Sequence, residues 1–238
     1  MKVPPVSTPR RWVGRVGLTR GHSTLCSLVM VTAVVLAYLL GSVPFGLVLA
    51  KTLAGVDPRS VGSGNIGATN TIRAAGKPIG LLAFALDVGK GVAPALVLRD
   101  EPAVAACAVA AAVVGHCFSL YLGFKGGKGV ATMVGGVLAL DPQLLLVGGI
   151  VWVATLALTR FVSLASILMT AAFAVGAAVR FGAQDQRTMA FGILAVLVLW
   201  LHRANLGRIH EGSEPRAFSG GADASESGAA TSEEGSLG

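Results

Sequence analysis

Gly123-Phe124-Lys125-Gly126-Gly127-Lys128-Gly129 is a short, cationic, glycine-dense loop set between two apolar runs. Glycine has no Cβ, so this backbone can approach a ligand closely. Lys125 and Lys128 add positive charge. The apolar run that follows predicts a helix from Val130, whose first free N–H groups and positive dipole end would face back into the loop. The combination describes an anion site suited to phosphate. It is not a Walker A loop, because Lys128 is followed by Gly129 rather than Ser or Thr. The same spacing also fits a plain tight turn whose lysines snorkel to a membrane surface.

Outward from the loop, the apolar runs decide the fold class. Ala103–Leu122, containing His116, precedes it; a shorter piece, Val130–Leu140, follows and closes at Asp141-Pro142. Only 13% of the 238 residues are charged and 53% are hydrophobic, against about 25% charged in a soluble domain. The chain reads as an all-α polytopic membrane protein of about seven transmembrane helices with cytoplasmic phosphate-binding loops. Cys26, Cys107 and Cys117 all lie in apolar runs at irregular spacing, which suits neither a disulfide frame nor a zinc site. The net charge of +7 is uneven: residues 1–20 are basic, whereas residues 211–238 hold six of the acidic residues. Basic surplus within a membrane domain suggests lipid headgroups or an anionic substrate, not nucleic acid.

In chain order, the predicted spans are Leu25–Leu49, Ile79–Leu98, Ala103–Leu122, the short Val130–Leu140, Gln143–Leu158, Phe161–Val179 and Thr188–Leu201. A polar connection over residues 51–78 contains Val61-Gly62-Ser63-Gly64-Asn65-Ile66-Gly67-Ala68-Thr69-Asn70, then Arg73 and Lys77. Asp87 and Lys90 are three apart within the second span and can meet on one helix face. Three regions result: a basic extension over 1–29, an integral membrane domain over 30–210, and an acidic tail over 211–238 whose composition cannot form a core. With seven spans, the 51–78 connection, the glycine loop, the Arg160 turn and the His202–Arg208 segment share one side. That side carries most of the loop Lys and Arg, which the positive-inside rule assigns to the cytoplasm. The basic N-terminus would then lie outside, against the rule. Met30 before the first uninterrupted apolar run is a plausible native start, which makes residues 1–29 a mis-called or added extension.

Four stretches stand together on that side: Gly41-Ser42-Val43-Pro44-Phe45-Gly46 leading to Val61–Asn70; Gly115-His116 with the glycine loop; Phe161-Val162-Ser163-Leu164-Ala165-Ser166; and His202-Arg203-Ala204-Asn205. In this order, over about residues 30–216, they resemble the bacterial membrane glycerol-3-phosphate acyltransferases of the PlsY type. The resemblance implies a seven-helix protein of the bacterial cytoplasmic (inner) membrane with its active site facing the cytoplasm. It implies acyl transfer from acyl phosphate to the 1-hydroxyl of glycerol 3-phosphate, giving lysophosphatidate and phosphate, the first acylation of phospholipid synthesis. No cofactor, metal or acyl-CoA is implied. The partners would be the two substrates, membrane lipid and a soluble enzyme that forms the acyl phosphate.

The resemblance also implies the site. Ser63, Asn65, Arg73, Gly126, Gly127, Lys128 and Ser166 would bind substrate phosphate, Arg73 as a bidentate grip and Lys128 as a point charge. His202 and Asn205, three apart, would share a face and act in catalysis. Asn70 and His116 would support them. Where the family often has Glu between the Arg and Asn, this chain has Ala204, so no acid acts there. Glycine-loop N–H groups and Asn205 would stabilise the oxyanion. The proton acceptor is either His202 or a substrate phosphate oxygen. No Asp lies five residues after any His, as acyl-CoA-using acyltransferases require, and there is no GxSxG elbow, so no covalent acyl-enzyme is expected. Taken alone, Ser63, Asn65 and Asn70 also suit turns, Arg73 a headgroup anchor, and Ser166 helix packing. The rival classes are a small membrane transporter of phosphorylated solutes and a metal-dependent phosphotransferase. The first needs a midplane site; the second needs carboxylates, and this side offers only Asp57 outside the tail.

Overall fold

The computed structural model describes residues 20–217. Residues 1–19 and 218–238, and the expectations placed on them, lie outside the described residues. The described chain contains ten α-helices: α1 Arg20–Ser42, α2 Phe45–Ala54, α3 Ala68–Ala75, α4 Lys77–Val97, α5 Pro102–Cys117, α6 Val130–Leu140, α7 Pro142–Thr159, α8 Val162–Phe181, α9 Gln186–Leu201 and α10 Arg203–His210. Among the described residues there is no β-strand.

Every apolar segment read from the sequence is built mainly of helix, and α6 has the expected bounds. Helix starts follow local chemistry. Pro102 and Pro142 open α5 and α7, where a missing N–H costs nothing. The Asp141 and Asp185 carboxylates accept the Leu144 N–H at 3.0 Å and the Arg187 N–H at 2.8 Å, capping α7 and α9.

Two expectations change. The first span is broken: α1 ends at Ser42 and α2 begins at Phe45, around Pro44, which can donate no backbone hydrogen bond. The polar connection over 51–78 is partly helical, because α3 folds within it. The count of seven crossings is not reached by helix length and apolarity alone. Five stretches among the described residues are long and apolar enough to cross, with α1 and α2 together forming one of them. A sixth crossing follows if α9 and α10, bent by 49° at His202, count as one. The 11 residues of α6 rise only about 16 Å, roughly half a bilayer core.

The bundle consists of α4 against α6 and α1 against α5, continued by α7, α8 and α9. At the α4–α6 crossing, a Cβ on Gly91 would lie 1.9 Å from the Thr132 carbonyl oxygen, and one on Gly135 would lie 1.9 Å from that of Val88. The backbones therefore touch in a way that only small residues allow. Val113, Met133, Val137, Leu144, Phe173 and Leu194 fill the centre. Leu146, Ile150 and Leu158 of α7 are exposed, as a lipid-facing helix requires.

Candidate active site

A cavity of about 720 Å³ opens where α3, α4, α6, α7, α8 and α10 converge. One end is polar and cationic: Ser63, Arg73, Lys128, Ser166, His202 and Asn205 line it, together with Arg208 and Glu214. The other end is apolar, walled by Leu81, Phe84, Val134, Leu145, Trp152 and Val153. Leu81, Phe84 and Val153 are also exposed on the bundle surface. The apolar end thus reaches the lipid-facing side between α4 and α7.

The turn carrying Ser63 is fixed by Asn70. Its amide Nδ2 donates to the Pro58 carbonyl at 2.7 Å and the Asn65 carbonyl at 2.8 Å, while its Oδ1 accepts the Ser63 N–H at 3.1 Å. Asn65 lines the cavity, with its Oδ1 accepting the Gly67 N–H at 2.7 Å just before α3. Arg73 projects from α3, exposed and with no ion-pair or hydrogen-bond partner among the described residues. On α8, Ser166 lines the cavity while its hydroxyl donates to the Val162 carbonyl at 2.8 Å. Asp57 is elsewhere: Arg59 holds its carboxyl well below the usual carboxylate range, with help from Lys51, and it does not line the cavity.

The glycine loop differs from its expected role. The Gly126 N–H donates to the Cys117 carbonyl at 3.0 Å and the Gly127 N–H to the His116 carbonyl at 2.9 Å. Both N–H groups therefore cap the end of α5, and neither glycine lines the cavity. The available backbone donors lie one step later. Gly129, at φ 76°, turns the chain into α6. The Val130, Ala131 and Thr132 N–H groups precede the first intrahelical donor, the Met133 N–H, and Val130 and Ala131 line the cavity. His116 sits beneath the loop, buried, and reaches the cavity wall.

Lys128 and Asn205 meet across the site, the lysine Nζ donating to the Asn205 Oδ1. Burial above all, opposed by the Glu214 charge and aided by those of Arg208 and Arg73, brings the pKa of the Lys128 ammonium down to about 8. His202 is buried at the bend between α9 and α10. Its Nδ1 is 2.8 Å from the Val198 carbonyl oxygen. That oxygen can only accept, so Nδ1 carries the proton and Nε2 is the free acceptor.

Sequence reading missed Glu214, which was assigned to the tail. Residues 211–217 instead fold back, and the Ala217 N–H donates to the Arg160 carbonyl at 2.7 Å. Glu214 is buried. Its Oε1 accepts from Asn205 Nδ2 at 2.6 Å and from the Ser163 hydroxyl at 2.7 Å; its Oε2 accepts from Arg208 Nε at 2.8 Å. Burial raises its pKa, but these three donors outweigh that and lower it overall. A carboxylate does therefore stand in this corner, holding Asn205 rather than His202. The signal available was Arg208, three residues after Asn205 on the same helix, followed by a turn at Gly212 (φ 73°) that returns the chain.

The fold and site together define an integral membrane protein with a phosphate-suited pocket that continues into an apolar groove. The glycerol-3-phosphate acyltransferase family model matches residues 31–212. The chain is 44% identical over 185 residues to a glycerol-3-phosphate acyltransferase of Erythrobacter litoralis, covering 77% of this chain and 93% of that one. It is 45% identical over 191 residues to the Maricaulis maris protein of the same name, covering 79% and 88%. A crystal structure of PlsY, an integral membrane glycerol 3-phosphate acyltransferase, in its glycerol 3-phosphate form matches with a TM-score of 0.74 and 41% identity, covering 79% of this chain and 95% of that chain. The lysophosphatidic acid form of PlsY matches with a TM-score of 0.72 and 40% identity over the same shares. This chain belongs to the glycerol-3-phosphate acyltransferase family.

Proposed function

We propose that the protein transfers an acyl group from acyl phosphate to the 1-hydroxyl of glycerol 3-phosphate, releasing phosphate and lysophosphatidate. The observation that carries this reading is the two-ended cavity: cations and hydroxyls at one end, an apolar wall reaching lipid at the other. Both substrates bring phosphate to the first; the acyl chain takes the second. Ser63, Arg73, Lys128 and Ser166, with the α6 N–H groups, bind the phosphates. Asn65 and Asn70 shape the Ser63 turn. Gly126 and Gly127 act as scaffold, and the oxyanion donors are the α6 N–H groups and the second N–H of the Asn205 amide.

The hydroxyl attacks the acyl carbonyl carbon, a C–O bond forms, and the acyl–phosphate bond breaks with its electron pair leaving on phosphate. The hydroxyl proton goes to a phosphate oxygen. His202 is the weaker acceptor, because a protonated ring would be a buried cation among Arg73, Lys128 and Arg208. It orients substrate through Nε2 instead, and His202→Gln should leave turnover near normal at saturating substrate.

The distribution of basic loop residues favours the bacterial cytoplasmic membrane with this site facing the cytoplasm, where a soluble acyl-phosphate-forming enzyme can supply the donor. Purified protein in detergent, given palmitoyl phosphate and labelled glycerol 3-phosphate, should make lysophosphatidate; palmitoyl-CoA should not replace the donor. Product from palmitoyl-CoA alone would overturn the donor assignment. No product from either donor, in folded protein, would favour a transporter of phosphorylated solutes.

A further inference from the structure

Directly beneath the glycine loop lies a cluster that the proposed chemistry does not use. Asp87 and Lys90 of α4 are each 1% exposed and His116 of α5 is 5% exposed. Lys90 Nζ lies 2.7 Å from Asp87 Oδ1, and His116 Nδ1 lies 3.5 Å from that oxygen and 3.4 Å from Lys90 Nζ. Lys90 also sits 5.0 Å from the centre of the Phe45 ring. Burying an ion pair costs several kcal/mol per ion, and well-packed apolar residues usually serve stability as well or better. A full pair here therefore points to placement rather than to strength.

What it places is visible on the other side of the imidazole. A Cβ on Gly127 would lie 2.1 Å from His116 Nε2, 2.9 Å from its Cδ2 and 3.1 Å from its Cε1. The backbone at Gly127 thus rests on the ring, and the next residue is Lys128. Nδ1 faces the ion pair while Nε2 faces the loop, so a shift of the pair moves the ring and with it the loop. We propose that Asp87, Lys90 and His116 are positioning residues, a buried ionic seat that sets where Lys128 meets phosphate. This rests on the phosphate-binding reading of Lys128 given above.

The contact permits a steric cycle, because Gly127 is not in the left-handed region and the three atoms nearest an alanine Cβ there all belong to the His116 ring. Gly127→Ala should lower kcat/KM about a hundredfold, the scale of an ångström misplacement in an active site. His116→Ala should lower it about tenfold, mostly through KM for glycerol 3-phosphate. In the double variant the methyl group occupies the space the ring vacates, so activity should recover to the His116→Ala level. Losses that multiply would overturn the seat, and would show that His116 acts on substrate itself. Asp87→Leu/Lys90→Leu should keep its thermal midpoint and raise KM about tenfold. Parental kinetics in that variant would overturn the role of the pair, as would its failure to fold, which would make the pair a stabilising element. Parent protein is assayed first. If it makes no lysophosphatidate, the functional reading has failed, and the cycle is read instead from the rate at which an amine-directed reagent modifies Lys128. A changed rate in Gly127→Ala that reverts in the double variant supports the seat. Equal rates in all four proteins overturn it.

Discussion

The two ends of the bundle use charge differently. Away from the cavity, Asp141 caps α7 and pairs with Arg180 at 2.7 Å, while Asp185 caps α9 and pairs with Arg187 at 2.9 Å. Both of these acids serve a helix start and both pair with a base. At the cavity end the cations outnumber their answers. Arg73 has no partner among the described residues, Lys128 donates to a neutral amide, and Arg208 is the cation that pairs with Glu214. Paired charge fastens helices; cations left unanswered along one wall of a cavity attract an anionic ligand. The contrast separates the end that holds the fold from the end that holds the reaction.

The largest effect should come from the cation that best exemplifies the cavity end. Lys128→Ala should lower kcat/KM by about a hundredfold or more, the scale of removing one preorganised charge-stabilising donor. The pH dependence should run in opposite senses for activity and stability. The ammonium is charged below about 8 and loses its proton above it. Activity should therefore fall as pH rises through 8, whereas an ordinary lysine would stay charged to about 10.4. In the unfolded chain the lysine keeps its proton over that same window, so the unfolded state binds more protons and stability should rise between pH 8 and 10. Rate and thermal midpoint measured together across this range test both limbs. Lys128→Ala should abolish its share of the rise in stability. A flat activity profile to pH 10 would show that Lys128 is not the group that matters.

Glu214 belongs to both ends in character: it lies at the cavity yet acts as a fastener. Glu214→Gln keeps the shape but removes the charge that answers Arg208 and orders Asn205. Charge-assisted hydrogen bonds contribute about 1.5–3 kcal/mol each, so destabilisation by about 2 kcal/mol is expected. Because Asn205 accepts from Lys128, kcat/KM should also fall, by about tenfold for a loss of 1.4 kcal/mol at the transition state. Ser163→Ala should do less, since two of the three donors to Glu214 remain. Equal losses in the two variants would mean that Glu214 acts by packing alone.

Legibility in the sequence followed the range of the signal. Helix existence was legible because apolar length is local, and α6 was bounded correctly by Gly129 and Asp141-Pro142. The α1–α2 break was less so: Pro44 was visible, but whether a proline kinks or ends a helix depends on what packs around it. Within the site, side chains on short motifs such as Ser63, Lys128 and Asn205 were legible as chemistry. Which backbone N–H groups are available as donors was not. Gly126 and Gly127 looked like phosphate donors because glycine frees the backbone, but composition cannot say which carbonyl takes an N–H; here the last carbonyls of α5 do. Glu214 was hidden because the residues around it are polar and repetitive, and its partners Ser163 and Asn205 lie 51 and 9 positions away.

The smallest effect should mark the far end, and it makes the comparison quantitative. Arg180→Ala removes the partner of Asp141, but the Arg180 side chain is 42% exposed. A partly solvated pair contributes about 1 kcal/mol at most, because water and salt screen it. Asp141 would keep its cap on Leu144, so α7 should still begin at Pro142. Thermal stability should drop by a degree or two at low salt, and less at high salt as screening weakens the pair. Turnover and KM per folded molecule should stay at the parental values, because neither Arg180 nor Asp141 lines the cavity. A clear loss of turnover with unchanged stability would break the division of labour. It would mean that the tilt of α8, fixed at Arg180, is felt at Ser166 fourteen residues away.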